Sequence, residues 1–320
     1  MQSKIEANNI MRTFTMAICC LFLSSGLTAQ NEITVLSGQV LYYAQTGANP
    51  VLKNPGTQFE LKGKLRCKGT GSAKLVYKGY YFWVKGAKMR NVQDVVNGAV
   101  KNSEMSFSGR FFNFLTESVK DGENPETVKK HHRKYMNKSS GGIRGYANRE
   151  YAIPVLLLAS GKLPAANVMF KWRNMAGSGP YTFQLFGSGD KQIAQVLVRD
   201  TFLTLDLDQL SMDIFAEYEW KVTRVEGLRS ASIPIEICPD KTKELYAEIS
   251  QEEDFKSSDP TEQQLMLAYS LEEERCFYSA NKTYEHLLSM DPSNVLLRKM
   301  YATFLARMDM LPEANALIPR

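Results

Sequence analysis

Near its C-terminal end the chain repeats itself. Ala268 and Ala302, Leu271 and Leu305, and Ala280 and Ala314 each stand 34 residues apart, and Leu267 is matched at the same interval by Tyr301. A period of 34 fits two helices with their turns, and a small residue recurring on such helices lets neighbours pack closely. Pro292 falls between the two copies, where it closes the first helix pair, because proline cannot continue a helix. Such units cannot bury their apolar faces alone. Residues 241–320 are therefore expected as an α-helical repeat that needs cover, legible from Thr261 to Arg320 and preceded by a helix near Lys241 to Glu253.

This spacing resembles the tetratricopeptide repeat, and the resemblance implies a surface that binds another protein. Cover for the open face has four candidate sources: the preceding helix, the neighbouring β domain, a second copy of the chain, or a segment of another protein. The acidic run Glu272, Glu273 and Glu274 favours a basic partner and salt-sensitive association. Charge is unevenly spread. Eight Lys or Arg lie between Lys120 and Arg149, eleven acids between Asp240 and Glu274, and the formal net charge is only +5, too mild a balance to point to nucleic acid.

The first 29 residues read as a signal peptide. Lys4 and Arg12 give a basic start, "FTMAICCLFLSSGL" is an apolar run, and "LTAQ" places cleavage after Ala29. A signal beginning at Met11 is complete without the first ten residues. A mature chain starting at Gln30 resembles secreted proteins of the Bacteroidota. Lipid attachment at Cys19 or Cys20 is disfavoured because neither follows a small residue. The apolar run is shorter than the roughly twenty residues that span a bilayer. No transmembrane span is expected in the mature chain, which is assigned to the periplasm or the exterior. Cys67, Cys238 and Cys276 remain after cleavage, scattered and without a Cys-x-x-Cys, so at most one disulfide and no metal site is expected.

Residues 33–96 read as short strands and turns: "TVLSGQVLYY" alternates, "KNPG" breaks it, "TQFELKGKLRCK" resumes, "GTGS" turns as a hairpin, and "AKLVYKGYYFWVKGAKM" completes a strand pair. The order of a Gly-x-Val strand, a Pro-Gly turn, Gly-Ser-Ala-x-Leu-x-Tyr and an aromatic strand resembles the FecR-like periplasmic domain over Ser37 to Arg90. That resemblance implies sensing of an envelope signal. Members pass it on through a membrane helix that this sequence does not show, so the signalling role does not transfer with the domain. Alternation puts Tyr81 and Trp83 on one face of the aromatic strand and Tyr80, Phe82 and Val84 on the other. The preferred reading buries one face in the domain core and the other under a neighbouring segment. The alternative makes Tyr81 and Trp83 a ligand platform for a glycan or peptide.

Residues 104–150 form a helical basic linker. "SEMSFSGRFFNFLTESVK" carries a phenylalanine-rich face, and "NPETVKKHHRKYMNK" opens on Asn124 and Pro125 before its charges. Lys129, Lys130, Arg133 and Lys134 are a candidate basic surface for an anionic partner, read first as a solvated face. His131 and His132 are adjacent and diverge on a helix, with no ligand partner at helical spacing.

Residues 165–238 are expected as a β-sandwich. "NVMFKW" places Val168, Phe170 and Trp172 on one face, "YTFQL" places Tyr181, Phe183 and Leu185 there, and "IAQVLV", "FLTLDL" and "YEWKV" repeat the device. An early tryptophan strand, a late Tyr218-x-Trp220-x-Val222 strand and a last strand at Ile233, Ile235 and Ile237 resemble the fibronectin type III or immunoglobulin-like class.

Catalytic chemistry has little to stand on. His131, His132 and His286 are the only histidines, and none has a nucleophile in a credible setting. "GTGSAK" lacks the spacing of a phosphate loop and leads into a strand. Asp206, Asp208 and Glu219 are carboxylates that sequence alone leaves open as a hydrolytic pair. The sequence thus describes a multidomain chain: an all-β N-terminal domain, a helical linker, a β-sandwich and a C-terminal α-helical repeat. Its expected role is that of a non-catalytic exported envelope scaffold or sensor that binds envelope proteins, with no cofactor. A carbohydrate or cell-wall binding module is the alternative, and an envelope hydrolase the second alternative.

Overall fold

A computed structural model of the chain describes residues 32–45, 47–98, 107–121, 153–174, 180–224 and 227–318. The expected signal segment, with cleavage after Ala29, lies outside them, and so does the basic run with Lys129, Lys130, Arg133 and Lys134. Two units divide the chain, Met1–Ser103 and Glu104–Arg320. Among the described residues no helix is long and apolar enough to cross a membrane.

Alternation of apolar and polar residues builds the first unit. Strands β1 (Glu32–Ser37), β4 (Gln58–Glu60), β6 (Ser72–Tyr77) and β7 (Tyr80–Lys85) form one sheet in the order β4-β1-β6-β7. Strands β2 (Val40–Tyr43), β3 (Val51–Lys53), β5 (Lys64–Cys67) and β8 (Arg90–Asn91) form the other, in the order β3-β2-β5-β8. The facing sides interdigitate into one core of Ile33, Val35, Val40, Phe59, Leu65, Leu75, Phe82 and Val84, with Val92 of the short helix α1 (Val92–Asn97) closing it. β1 hands the chain to the opposite sheet at Gly38, where φ is +75° and a Cβ would stand 2.2 Å from the Ser72 carbonyl oxygen, so only glycine fits. Tyr77 and Tyr80 close the β6–β7 hairpin over Lys78 and Gly79, both at positive φ as a type I′ turn requires. The "GTGS" turn is different from its expectation. It joins β5 to β6, which belong to different sheets, so it is a corner and not a hairpin. Turn-forming residues specify a reversal, not which strands then pair.

The second unit begins, among the described residues, with helix α2 (Phe107–Asp121). Strands β9 (Gly161–Pro164), β10 (Asn167–Lys171), β11 (Tyr181–Phe186), β12 (Gln192–Val198), β13 (Phe202–Asp206), β14 (Glu217–Arg224) and β15 (Ile233–Cys238) follow. Five of them form a sheet in the order β12-β11-β14-β15-β9, with β9 parallel to β15, and β10 pairs with β13 in a second sheet. The sheets face each other through aromatic rings: Phe170 lies 5.0 Å from Phe183 and 5.2 Å, edge-on, from Trp220. The Trp220 indole donates to the Ala159 carbonyl at 2.7 Å, satisfying a donor that burial would otherwise strand. Trp172 is core, as read from the sequence, at 2% exposure. The alternation is weaker in β12 and β13, where most residues are half-buried or exposed.

Helices α3 (Thr242–Ile249), α4 (Glu253–Ser257), α5 (Pro260–Glu273), α6 (Phe277–Met290), α7 (Val295–Arg307) and α8 (Leu311–Leu317) complete the unit. Asp259 caps α5 by accepting from the Glu262 amide, with Pro260 in the first turn, and the Asn294 side chain caps α7. α5 with α6 and α7 with α8 are helical hairpins whose turns repeat at the 34-residue period. Arg275 and Asp309 both adopt positive φ, at 63° and 60°. The amide of Cys276 bonds to the carbonyl of Leu271 as that of Met310 does to Leu305. Leu267, Ala268, Leu271, Ala280, Tyr301, Ala302, Leu305 and Ala314 are all buried, and Pro292 sits in the turn between the hairpins.

Candidate functional site

Two surfaces collect the side chains that the sequence singled out. The first is the outer face of the β4-β1-β6-β7 sheet. Phe82 and Val84 point into the core, which leaves Tyr81 and Trp83 on the other side, opposite Val76 and Lys74 in register. Trp83 is 43% exposed, so its reading as a buried structural residue is overturned. The sandwich interior is already filled by the alternate residues of β7, and an aromatic on the odd positions has nowhere to go but out. Beneath the pair lies Lys74, itself 1% exposed, with its ammonium 4.4 Å from the Tyr81 ring centroid and 5.9 Å from that of Trp83. The result is an aromatic ledge with a cation under it.

The second surface lies on the helical layer. The helix α2, expected as part of a linker, lies across α5 and α7, the first helices of the two hairpins. Phe107, Phe111 and Phe114 gather around Tyr269 at 4.7–5.8 Å between centroids. Further along, the Thr303 hydroxyl is 2.9 Å from the Ser118 carbonyl oxygen, and the Arg307 guanidinium lies 5.0 Å from the Phe114 ring. Phe111, Phe112, Leu115 and Val119 are fully buried. Cover for the hairpins thus comes from within the chain: the preceding helix α3 packs on α5 and the β domain on α6, two of the expected sources, and α2 adds a third that was not among them. α7 is closed on all sides, with no residue from Met300 to Arg307 more than 9% exposed.

The acidic run proves to be engaged. Glu272 is buried and bonds to Arg307 Nη2 at 2.5 Å and to the Tyr284 hydroxyl at 2.8 Å. Burial pushes its carboxyl above the usual range, and Arg307 and Tyr284 pull it back. Glu273 accepts from the Tyr269 hydroxyl at 2.6 Å and pairs with Arg110 of α2 at 3.2 Å. Glu274 pairs with Lys162 of β9 at 2.8 Å. Each acid of this run thus has a base of the chain itself beside it: Arg307, Arg110 and Lys162. The buried Glu272–Arg307–Tyr284 cluster escaped the sequence reading, because its members come from three helices and share no local motif.

Other candidates do not converge. Asp206 ends β13 and its carboxylate accepts from the Asp208 amide at 3.3 Å. Glu219 alternates with buried Tyr218 and Trp220, which turns it to the outer face of the five-stranded sheet, away from the sheet that holds Asp206. His286 is exposed on α6. Cys67, Cys238 and Cys276 are free and buried. Burial, reinforced by Glu236, pushes the Cys238 thiol up to about 12, and burial pushes that of Cys276 to about 11, so both stay protonated at neutral pH and are poor nucleophiles. Among the described residues no group of three or more His, Cys, Asp or Glu is placed to hold a metal ion. Compared with known protein families and with curated proteins, the chain matches none.

Proposed function

We propose that this chain is an exported, non-catalytic envelope scaffold or sensor that binds other proteins through its helical layer and its β domains. In this reading the first unit is a FecR-like domain, residues 165–238 an immunoglobulin-like or fibronectin type III-like sandwich, and residues 261–320 a tetratricopeptide-like pair of hairpins. The strand order β12-β11-β14-β15-β9, in which β9, just upstream of residues 165–238, joins the sheet parallel to the last strand, supports the sandwich assignment. So does the Tyr218 hydroxyl, which sits 2.7 Å from the backbone amide of Asp213 five residues upstream, in the manner of a tyrosine corner. The recurrence of positive φ at Arg275 and Asp309 supports the repeat.

One observation carries the proposal: the first helices of both hairpins already hold a helix from elsewhere in the chain, so this layer is a surface that accepts helices. Affinity capture with the native protein from its own envelope tests it. Specific proteins are expected to co-purify, and to be lost when Thr261–Arg320 is removed. Recovery of nothing, or of the same proteins at equal yield from the shortened chain, would defeat the reading. Export is tested separately by N-terminal sequencing of the native protein, which should begin at Gln30.

The exposure of Trp83 favours a second reading, a glycan or cell-wall ligand stacked on Tyr81 and Trp83. Titration with soluble cell-wall glycan fragments should quench tryptophan fluorescence in the natural chain and not in Trp83→Ala. An equal response from both would remove this reading.

A further inference from the structure

We propose that β12 is a pairing edge, and that a second copy of this chain lays its own β12 there, antiparallel about a two-fold axis, so that the two five-stranded sheets run on as one. The inference goes beyond the scaffold reading, and neither needs the other.

It starts from a missing defence. A strand at the edge of a sheet offers unpaired amides and carbonyls to any other chain, and proteins blunt such edges with charge, proline or shortness. Among the described residues eight strands stand at sheet edges, and seven of them carry a charged residue, as β7 does in Lys85 and β9 in Lys162. β12 (Gln192–Val198) has no charge and no proline, although at 7 residues it is the longest of the eight. β11 is also uncharged, but it lies inside the sheet.

The same strand is short of cover on both faces. Ala194, Val196 and Val198 stand opposite Leu185, Phe183 and Tyr181 of β11 and so face the core, yet Ala194 and Val196 are only half-buried. On the outer face Leu197 is 68% exposed. A strand laid beside β12 continues both faces of the sheet, and so covers both sets. The register shift between Leu185 and Phe186 falls at the first end of β12, which leaves Ala194 to Val198 regular.

This edge suits its own copy. Having no charge, it asks for no opposite charge in a partner. Antiparallel pairing about Val196 sets Val196 against Val196 and Ala194 against Val198 on the core side. On the outer side it sets Gln195 against Leu197, with the two Leu197 side chains in diagonal reach of each other. A slip of one residue would oppose core-side and outer side chains. A slip of two brings Asp200 opposite Ala194 in one direction and Arg199 opposite Lys191 in the other. The charges that flank the strand thus select the pairing about Val196.

Sedimentation velocity of the natural chain across the micromolar range tests this. A reversible dimer is expected, and Leu197→Lys should weaken it at least ~10-fold, because each interface then carries two like charges within diagonal reach. Leu197 is exposed, so the variant should keep the circular dichroism of the natural chain; should it not, Gln195→Lys repeats the test at the facing position. Hydrogen exchange locates the contact. Amides within residues 192–198 should gain protection as the natural chain is concentrated, and should not in the variant. A chain that stays monomeric, a dimer that both variants keep, or protection that appears elsewhere overturns the proposal. A monomeric chain that takes up a labelled seven-residue peptide of alternating valine and threonine assigns the edge to an extended segment of another protein, and also overturns the second copy.

Discussion

At the scale of single residues, position decides the meaning of a side chain more than its type. Trp83 and Trp220 both sit in strands with apolar neighbours, yet one is 43% exposed and the other fully buried. Trp83→Ala should therefore lower stability by less than about 1 kcal/mol, against about 3–5 kcal/mol for a buried aromatic such as Trp220. Thermal melts of the two variants check this directly. The Glu272–Arg307 pair is a sharper case, because a buried charge that loses its partner keeps its desolvation penalty. Glu272→Gln should cost about 3–5 kcal/mol, whereas Glu272→Leu combined with Arg307→Met should cost clearly less than Glu272→Gln alone. Denaturant unfolding of these variants measures it, and a double variant as damaged as the single one would mean that the pair is not acting as a unit.

At the scale of elements, the junctions rest on backbone geometry that side-chain pattern does not announce. β9 starts at Gly161, where φ is +71° and a Cβ would stand 2.5 Å from the Arg275 carbonyl oxygen. The next amide, Lys162, donates to that same carbonyl at 3.0 Å, fixing the sandwich edge to the turn between α5 and α6. Gly161→Ala should cost about 1–3 kcal/mol through strain and loss of that seat, read as a drop in unfolding midpoint. Arg173, just beyond β10, makes a second tie to Glu313 of α8 at 2.9 Å. Burial alone would raise the Glu313 carboxyl, but the Arg173 hydrogen bond outweighs it and holds the group below its usual value. A depressed folded-state value means stability that is present above the unfolded value, about 4.3, and lost as pH falls through the folded one. Glu313→Gln should thus be less stable by up to about 1 kcal/mol at pH 7 and converge with the natural chain in acid. Melts from pH 7 down to pH 3 would show it. β11, β14 and the 34-residue period were legible because central strands and repeated helices impose their periods on sequence. The place of α2 was not. Its phenylalanine stripe says which face is buried, while the floor it meets lies beyond an entire sandwich in sequence. Trp83 misled for a related reason, since a strand apolar on both faces does not say which face is inside.

At the scale of the molecule, the two units differ in how they are closed. Among the described residues, the core of the first runs from Ile33 to Val92, with Val95 and Val96 beside it, one short stretch of sequence. The second unit gathers its closure from distant parts: α6 packs on β9 and the turn at Leu157–Ala159, α3 on α5, and α2 across α5 and α7. Long-range closure of this kind makes the C-terminal helices dependent on residues far upstream. Burying Phe111, Phe112, Leu115 and Val119 takes these side chains out of water at roughly 1.5–3 kcal/mol each in gross terms, so loss of α2 should weaken the helical layer. A fragment of residues 153–320, lacking α2, should melt several degrees below one of residues 104–320 and bind a hydrophobic dye that the longer fragment excludes. Adding the peptide of residues 104–123 should raise the melting temperature of the shorter fragment and displace the dye, because the floor regains the face it was built to meet. Equal melting temperatures for the two fragments would show that the hairpins are closed without α2, and that the helix is a passenger on them.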